Sequence, residues 1–299
     1  MRSLIALLCV LSVWTAGGVA QTKSSKADKA SKSNGTAATS SSPFTPECSL
    51  PFIATPGLKI DQTCGVFGNA AGKTPEGLQN HAKNNFCAPG PAVTVTLAIL
   101  LNLQRASESA SVSFGSESQL PTNRATLQKG FSIAGTTYHE GQRVQLAASL
   151  IETHPADLSS GESVNCGTKE DPKGNDVHMA LGAAYGADEC TSVTAELSPH
   201  FRPSAWQILA DIAAKDKTEK PAVITQFPIR VTGQLFFDAS HKLCNNGSEV
   251  PGNPARQSAW EIHPVYQVDV CSRQTLADCQ ADDAVVWTPI GQWKPPAGN

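Results

Sequence analysis

Between residues 138 and 272 the chain carries five segments in which apolar and polar side chains alternate, and their order limits the fold. GQRVQLAASLIE (141–152), NDVHMALG (175–182) and TSVTAELSP (191–199) come first. A helical stretch follows, opened by Pro203-Ser204-Ala205-Trp206, with Trp206, Leu209 and Ile212 at helical spacing and an end near Lys215. PIRVTGQLFFD (228–238) and SAWEIHPVYQVDVC (258–271) close the series. A period of two is the signature of a strand. Three strands, a helix and two strands is the order of an OB-fold, a five-stranded Greek-key barrel. The expected fold is mainly β with a few helices: an OB-like five-stranded Greek-key barrel over 138–272, plus a small N-terminal cysteine-bearing lobe over 47–137.

In the lobe, Thr74-Pro75 predicts a helix start, because a hydroxyl caps free N–H groups and proline suits the first helical position. That helix runs through Glu76, Leu78 and His81 towards Asn85. Residues 93–105 suit a helix, yet Val93 to Leu97 also alternate like a strand, and periodicity alone leaves both open. GNAAGKT (68–74) imitates a phosphate-binding loop but has three residues between Gly68 and Gly72 where the motif needs four. The segment 273–299 is expected to be irregular, with Trp287 and Trp293 packing back onto the barrel.

Upstream of the lobe, Arg2, an apolar run from Leu4 to Trp14 and the small residues up to Ala20 form a signal-peptide pattern over 1–20. The run is too short to span a bilayer, and no later stretch is long enough. Residues 21–46, rich in Ser, Lys, Ala and Thr, read as a disordered linker. The expected location is secreted or periplasmic.

Cys9 leaves with the signal, and Cys48, Cys64, Cys87, Cys166, Cys190, Cys244, Cys271 and Cys279 remain. An even number in an exported chain reads as disulfides. Cys166 and Cys190 bracket the second strand, so a bond between them is expected. The full chain has a net charge of −3; removing residues 1–20, which hold Arg2 and no acid, leaves −4. The linker carries Lys23, Lys26, Lys29 and Lys32 against Asp28, so the body after it is −7. Phosphate backbones are bound by clustered Lys and Arg, so generic nucleic-acid binding is not expected.

Period two also sorts the polar residues. Asp176 and His178 oppose Val177, Met179 and Leu181; Glu196 opposes Val193, Ala195 and Leu197; Glu261 and His263 oppose Trp260 and Ile262. In an OB barrel the second strand pairs with the third and the third with the fifth. Asp176, His178, Glu196, Glu261 and His263 should then gather on the outer face of three adjacent strands, where such barrels bind ligands. Pro264 lacks an N–H and should mark a bulge or an edge.

Two chemistries suit the patch. His178, Glu196 and His263 could hold a divalent metal such as zinc and polarise a water. Alternatively, the same three could act as catalytic acid and base on a glycoside or ester with no cofactor. Asp176, Arg202 and Glu261 are candidate ligand-binding residues, with Arg256 neutralising Glu261. The plainer alternative is a polar, solvated outer face with cross-strand hydrogen bonds. No HExxH or GxSxG motif is present, His241 falls in a loop, and His81, His139 and His154 receive no role.

The strings NDVHMAL, CTSVTAELSPHFRP, RVTGQLFFD and SAWEIHPV together resemble a group of uncharacterised exported bacterial proteins. These share a D-[IV]-H strand, an E-[IL]-x-P turn and a terminal W-E-I-H-P strand. The resemblance covers roughly residues 138–270, with QNHAKNNFCAPG (79–90) as a possible extension. It implies a bacterial origin and brings no activity with it. The leading expectation is an exported, disulfide-stabilised OB-like protein that binds a small ligand, a glycan or a protein. The alternatives are a metal-dependent, phosphodiesterase-like hydrolase and a structural envelope protein.

Overall fold

The computed structural model describes Phe44, Pro46, Cys48, Gln62 and residues 64–156, 165–166, 174–210 and 222–296. The expected signal peptide lies outside the described residues, as does the expected linker apart from Phe44 and Pro46.

Five strands close a barrel. They are β4 (Arg143–Pro155), β5 (Val177–Gly182), β6 (Val193–Leu197), β7 (Ile229–Phe237) and β8 (Trp260–Cys271). β4 pairs antiparallel with both β5 and β7, β5 with β6, and β7 with β8. The ring is completed where β6 meets β8 in parallel, at Ala195 and Ile262. This is the pairing of the OB order. β4 serves two neighbours because it is long: Arg143–Ala148 pair with β7 and Ser149–Pro155 with β5, and the register shifts between Leu150 and Glu152. Val144, Leu146, Met179, Leu181, Ala195, Val231, Leu235, Trp260 and Ile262 fill the core, as the alternation required.

Pro264 sits where β8 bulges. Ile262 faces Leu235 and Val265 faces Gly233, so one residue more is spent on β8 than on β7. The proline has no N–H to lose there, and the His263–Pro264 bond is cis. Gly233 opposite is needed for closeness: a Cβ there would lie 2.5 Å from both Ile262 Cγ2 and Pro264 O.

Helix α1 (Pro75–Lys83) begins as expected, with Thr74 Oγ1 accepting from Gly77 N–H at 3.1 Å. The ambiguous stretch is both things in turn. β1 (Val93–Val95) pairs with β4, and α2 (Leu97–Ser109) follows under a Thr96 cap. α2 buries Leu100 and Leu103 against the barrel. Its Ser107 Oγ accepts from the Trp260 indole N–H at 2.8 Å, and its Gln104 Oε1 accepts from Ala259 N–H at 2.9 Å. Helix α3 (Ala125–Lys129) and the hairpin β2 (Phe131–Ile133) with β3 (Thr136–Tyr138) lead into β4. Among the described residues no helix is long and apolar enough to cross a membrane.

Three expectations change. The helix expected from Trp206 is a 3-10 turn, Ser204–Leu209, followed by residues outside the described set. Its bonds run i to i+3, from Trp206 N–H to Pro203 O and from Ala210 N–H to Gln207 O. Trp206 and Leu209 are buried all the same, because i and i+3 eclipse in that geometry. The C-terminal segment contains a short strand, β9 (Trp287–Pro289), on β8. Trp287 is buried there and Trp293 packs against Phe227, as expected. Finally, Phe44 at the end of the expected linker is buried, stacked on His200 with ring centroids 3.7 Å apart.

The cysteines pair as Cys48–Cys87, Cys64–Cys166, Cys190–Cys244 and Cys271–Cys279. Cys166 and Cys190 are therefore not bonded to each other. Asn165, next to Cys166, lies against the N-terminal residues, where Asn69 N–H donates to its backbone O at 3.1 Å. Cys190, in the β5–β6 turn, instead faces the β7–β8 connection, where Gln257 N–H donates to Ser192 O at 3.0 Å.

Trp260→Ala should cost ~3–5 kcal/mol, as for other large-to-small core changes. Gly233→Ala should cost ~1–3 kcal/mol through overpacking against Ile262 and Pro264. Urea unfolding of the oxidised protein measures both.

Candidate functional site

The strand register brings the outward residues together. His178 lies directly opposite Glu196, and the Ala195–Ile262 pair sets Glu196 beside His263. These residues do not face water. Asp176, Glu261 and His263 are fully buried and Glu196 nearly so, which corrects the solvated outer face expected from alternation. The cover is α1 and the chain after it. Gln234 Nε2 donates to Ala82 O at 2.7 Å, Tyr266 O–H donates to Asn85 O at 2.8 Å, and Phe86 packs near Tyr266.

Beneath this cover runs a chain of charges. Lys83, the last residue of α1, places Nζ 3.3 Å from Asp176 Oδ2 and 3.1 Å from Glu196 Oε2. His263 Nδ1 is 2.7 Å from the same Glu196 oxygen and 3.9 Å from Glu261 Oε1. Arg256 joins Glu261 to Asp238, at 2.5 Å to each. His178 Nε2 is 3.5 Å from Glu196 Oε1, and His241 Nδ1 is 2.7 Å from Asp238 Oδ2.

Both ends of that chain reach one cleft of about 380 Å³. Its walls are the end of β4 (His154, Pro155, Ala156), His178 of β5, Glu189 of the β5–β6 turn, and His241, Glu249 and Gly252–Ala255 of the β7–β8 connection. An OB barrel binds ligands on this side, over its second and third strands and between its first–second and fourth–fifth connections. Three imidazoles thus face the cleft, and two of them are backed by a buried carboxylate: His178 by Glu196, and His241 by Asp238. Among the described residues no Lys or Arg lines it. A wider cleft of about 530 Å³ beside α1 and α3 is lined by Arg124 and Glu140, which are already paired with each other.

Charge distribution differs from group to group. Burial alone would raise Glu196, yet Lys83, His178 and His263 hold it well below the ordinary 4.5. Asp238 is likewise lowered, with burial outweighed by His241 and Arg256. Glu261 is raised well above 4.5 by burial and by the Glu196 charge, which Arg256 does not offset. On the cleft wall, burial and the Glu152 charge push Glu189 up to about 7. His154 is raised above 6.5 mainly by its bond to Glu152.

His178, Glu196 and His263 are thus contiguous, but only His178 lines the cleft. Asp176 touches Lys83, and Glu261 touches Arg256 as expected. Arg202 is nearly buried and donates to the backbone oxygens of Asn175 and Leu197 at 3.0 and 3.4 Å, tying β5 to β6. Sequence reasoning passed over Lys83, Asp238, His241, His154 and Glu189. Asp238 was within reach, because period two continued past Phe237 places it on the outer face. Nothing in the sequence marked Lys83, whose partners lie in strands far along the chain. Compared with protein-family models, curated proteins and solved structures, the chain matches none.

Arg256→Met leaves Asp238 and Glu261 buried without their shared cation and should cost ~3–5 kcal/mol. The pH dependence has two limbs. Glu196 and Asp238 are depressed, so their stabilisation is present above their ordinary values and lost as pH falls through the folded ones. Glu261 and Glu189 are raised, so theirs is present below 4.5 and lost as pH rises, for Glu189 up to about 7. His154 adds a further loss above 6.5. Melting temperature should therefore peak at about pH 4–5 and fall towards pH 7. Glu189→Gln should flatten the falling limb; an unchanged limb would contradict the assignment.

Proposed function

We propose that this protein is a secreted or periplasmic OB-like barrel that binds a small polar ligand in the cleft lined by His154, His178, Glu189, His241 and Glu249. The observation that carries the reading is the convergence of two carboxylate-backed imidazoles on the ligand face of the barrel. A cleft walled by imidazoles and carboxylates favours neutral or cationic polar ligands, such as an oligosaccharide or an amine, over anions. Four disulfides fit an oxidising compartment, and the signal-peptide pattern supports export. The resemblance to exported bacterial proteins points the same way.

The same pair of imidazoles supports a second reading, a hydrolase. One histidine would take a proton from water while the other gives one to the leaving group. The absence of Lys and Arg among the described residues of the cleft walls suits an ester or glycoside better than a phosphodiester.

Thermal-shift screening of the oxidised protein should separate these ligand classes, using neutral oligosaccharides, polyamines and phosphorylated sugars. A neutral or cationic compound should raise the melting temperature of the wild type and not of the His178→Ala/His241→Ala variant. Stabilisation by phosphorylated sugars alone, or equal stabilisation of the double variant, would overturn the reading. Release of product from a bound ester or glycoside would select the hydrolase.

A further inference from the structure

We infer that Asp176, Glu196 and His263 form a buried site for one divalent transition-metal ion such as zinc, with Lys83 as its competitor. The inference stands apart from the cleft reading, since neither Asp176 nor His263 lines the cleft. One carboxylate oxygen from each acid and one ring nitrogen of His263 lie within 4.8 Å of one another, and all three residues are buried. Ligands ~2.0–2.2 Å from a tetrahedral ion are ~3.3–3.6 Å apart, so a small inward movement makes a ligand set of one imidazole and two carboxylates.

Two observations point to an ion rather than to a finished salt bridge. First, the atoms facing the centre lack aligned hydrogen bonds. Among the described residues, neither oxygen of Asp176, neither ring nitrogen of His263, nor Glu196 Oε2 has one. His263 Nδ1 and Glu196 Oε2 are 2.7 Å apart, close enough to form an ion pair when the imidazole is protonated. Buried polar groups are normally bonded, and one nitrogen and several carboxylate oxygens converging on a single buried centre are what a metal ion requires. Second, permanent positive charge is short. Arg256 is shared by Glu261 and Asp238, so among the described residues Lys83 is the Lys or Arg that pairs with Asp176 and Glu196, the histidines beside Glu196 being charged only when protonated. A divalent ion balances those two carboxylates in full.

Lys83 occupies the approach to the site, with Nζ 3.1 and 3.3 Å from the very oxygens that would ligate. Its side chain retains 11% exposure, so the ammonium can swing to solvent on its four-carbon stem as the ion enters. Cation exchange of this kind makes a definite forecast: removing the ammonium strengthens metal binding, whereas removing a ligand abolishes it.

The test is zinc titration of the oxidised, metal-free protein by calorimetry, with bound zinc counted by elemental analysis after dialysis. One zinc per chain is expected. Lys83→Met should bind at least tenfold more tightly. Asp176→Asn and His263→Gln, each also in the Lys83→Met background, should bind at least a hundredfold more weakly. His154→Ala/His241→Ala should bind as the wild type does. X-ray absorption at the zinc edge of the wild-type complex provides a reading that needs no variant to fold, and should show a single imidazole among oxygen ligands. No stoichiometric zinc in either wild type or Lys83→Met would overturn the inference. So would two or more imidazoles on the metal, or binding that survives Asp176→Asn and His263→Gln but is lost with the cleft histidines.

Discussion

Glu196 is a carboxylate kept ionised inside the protein, and much of the described structure is arranged to make that possible. A buried anion without partners is costly enough that it would protonate or unfold its surroundings. Three cationic or ionisable neighbours converge on it from three places: Lys83 from the end of α1, His178 from β5 and His263 from β8. The register of the barrel supplies two of them, through His178 opposite Glu196 and Ala195 against Ile262. The third depends on α1 lying over the outer face, which the Gln234 and Tyr266 hydrogen bonds hold in place. Loss of the cover would expose the layer to water and remove its strongest cation at once.

The same layer gives the cleft its chemistry. An imidazole in water exchanges protons without orientation. Here His241 is fixed by Asp238, which Arg256 anchors in turn, and His178 is held against Glu196. The position of each imidazole at the cleft wall is therefore set from behind by groups that do not line the cleft. The disulfide Cys190–Cys244 links the β5–β6 turn to the β7–β8 connection, fixing two walls of the cleft relative to each other. Cys64–Cys166 similarly ties the N-terminal residues to the β4–β5 connection.

How far the sequence could be read follows from the range of each signal. Alternation is local, so the five barrel strands and their inward faces were legible, as were the cap at Thr74-Pro75 and the bulge at Pro264. The OB order then brings His178, Glu196 and His263 together. What alternation cannot report is whether the other face meets water. A period of two says only that two faces differ, and a strand covered by a helix still alternates when the covering contacts are ionic. Lys83 decided the matter: it ends a helix the sequence did announce, but its partners Asp176 and Glu196 lie in segments about a hundred positions further on.

Composition and periodicity by themselves determined a disulfide-bearing β-barrel of OB order with a carboxylate–imidazole patch on its outer strands, because both depend on residues close in the chain. Only the tertiary structure decided that the patch is buried, that Cys166 and Cys190 take separate partners, and that Asp238, His241 and Glu189 share a cleft with His178. Those outcomes join residues tens of positions apart. Their energy comes from desolvation and charge pairing across the fold, which no window of sequence contains.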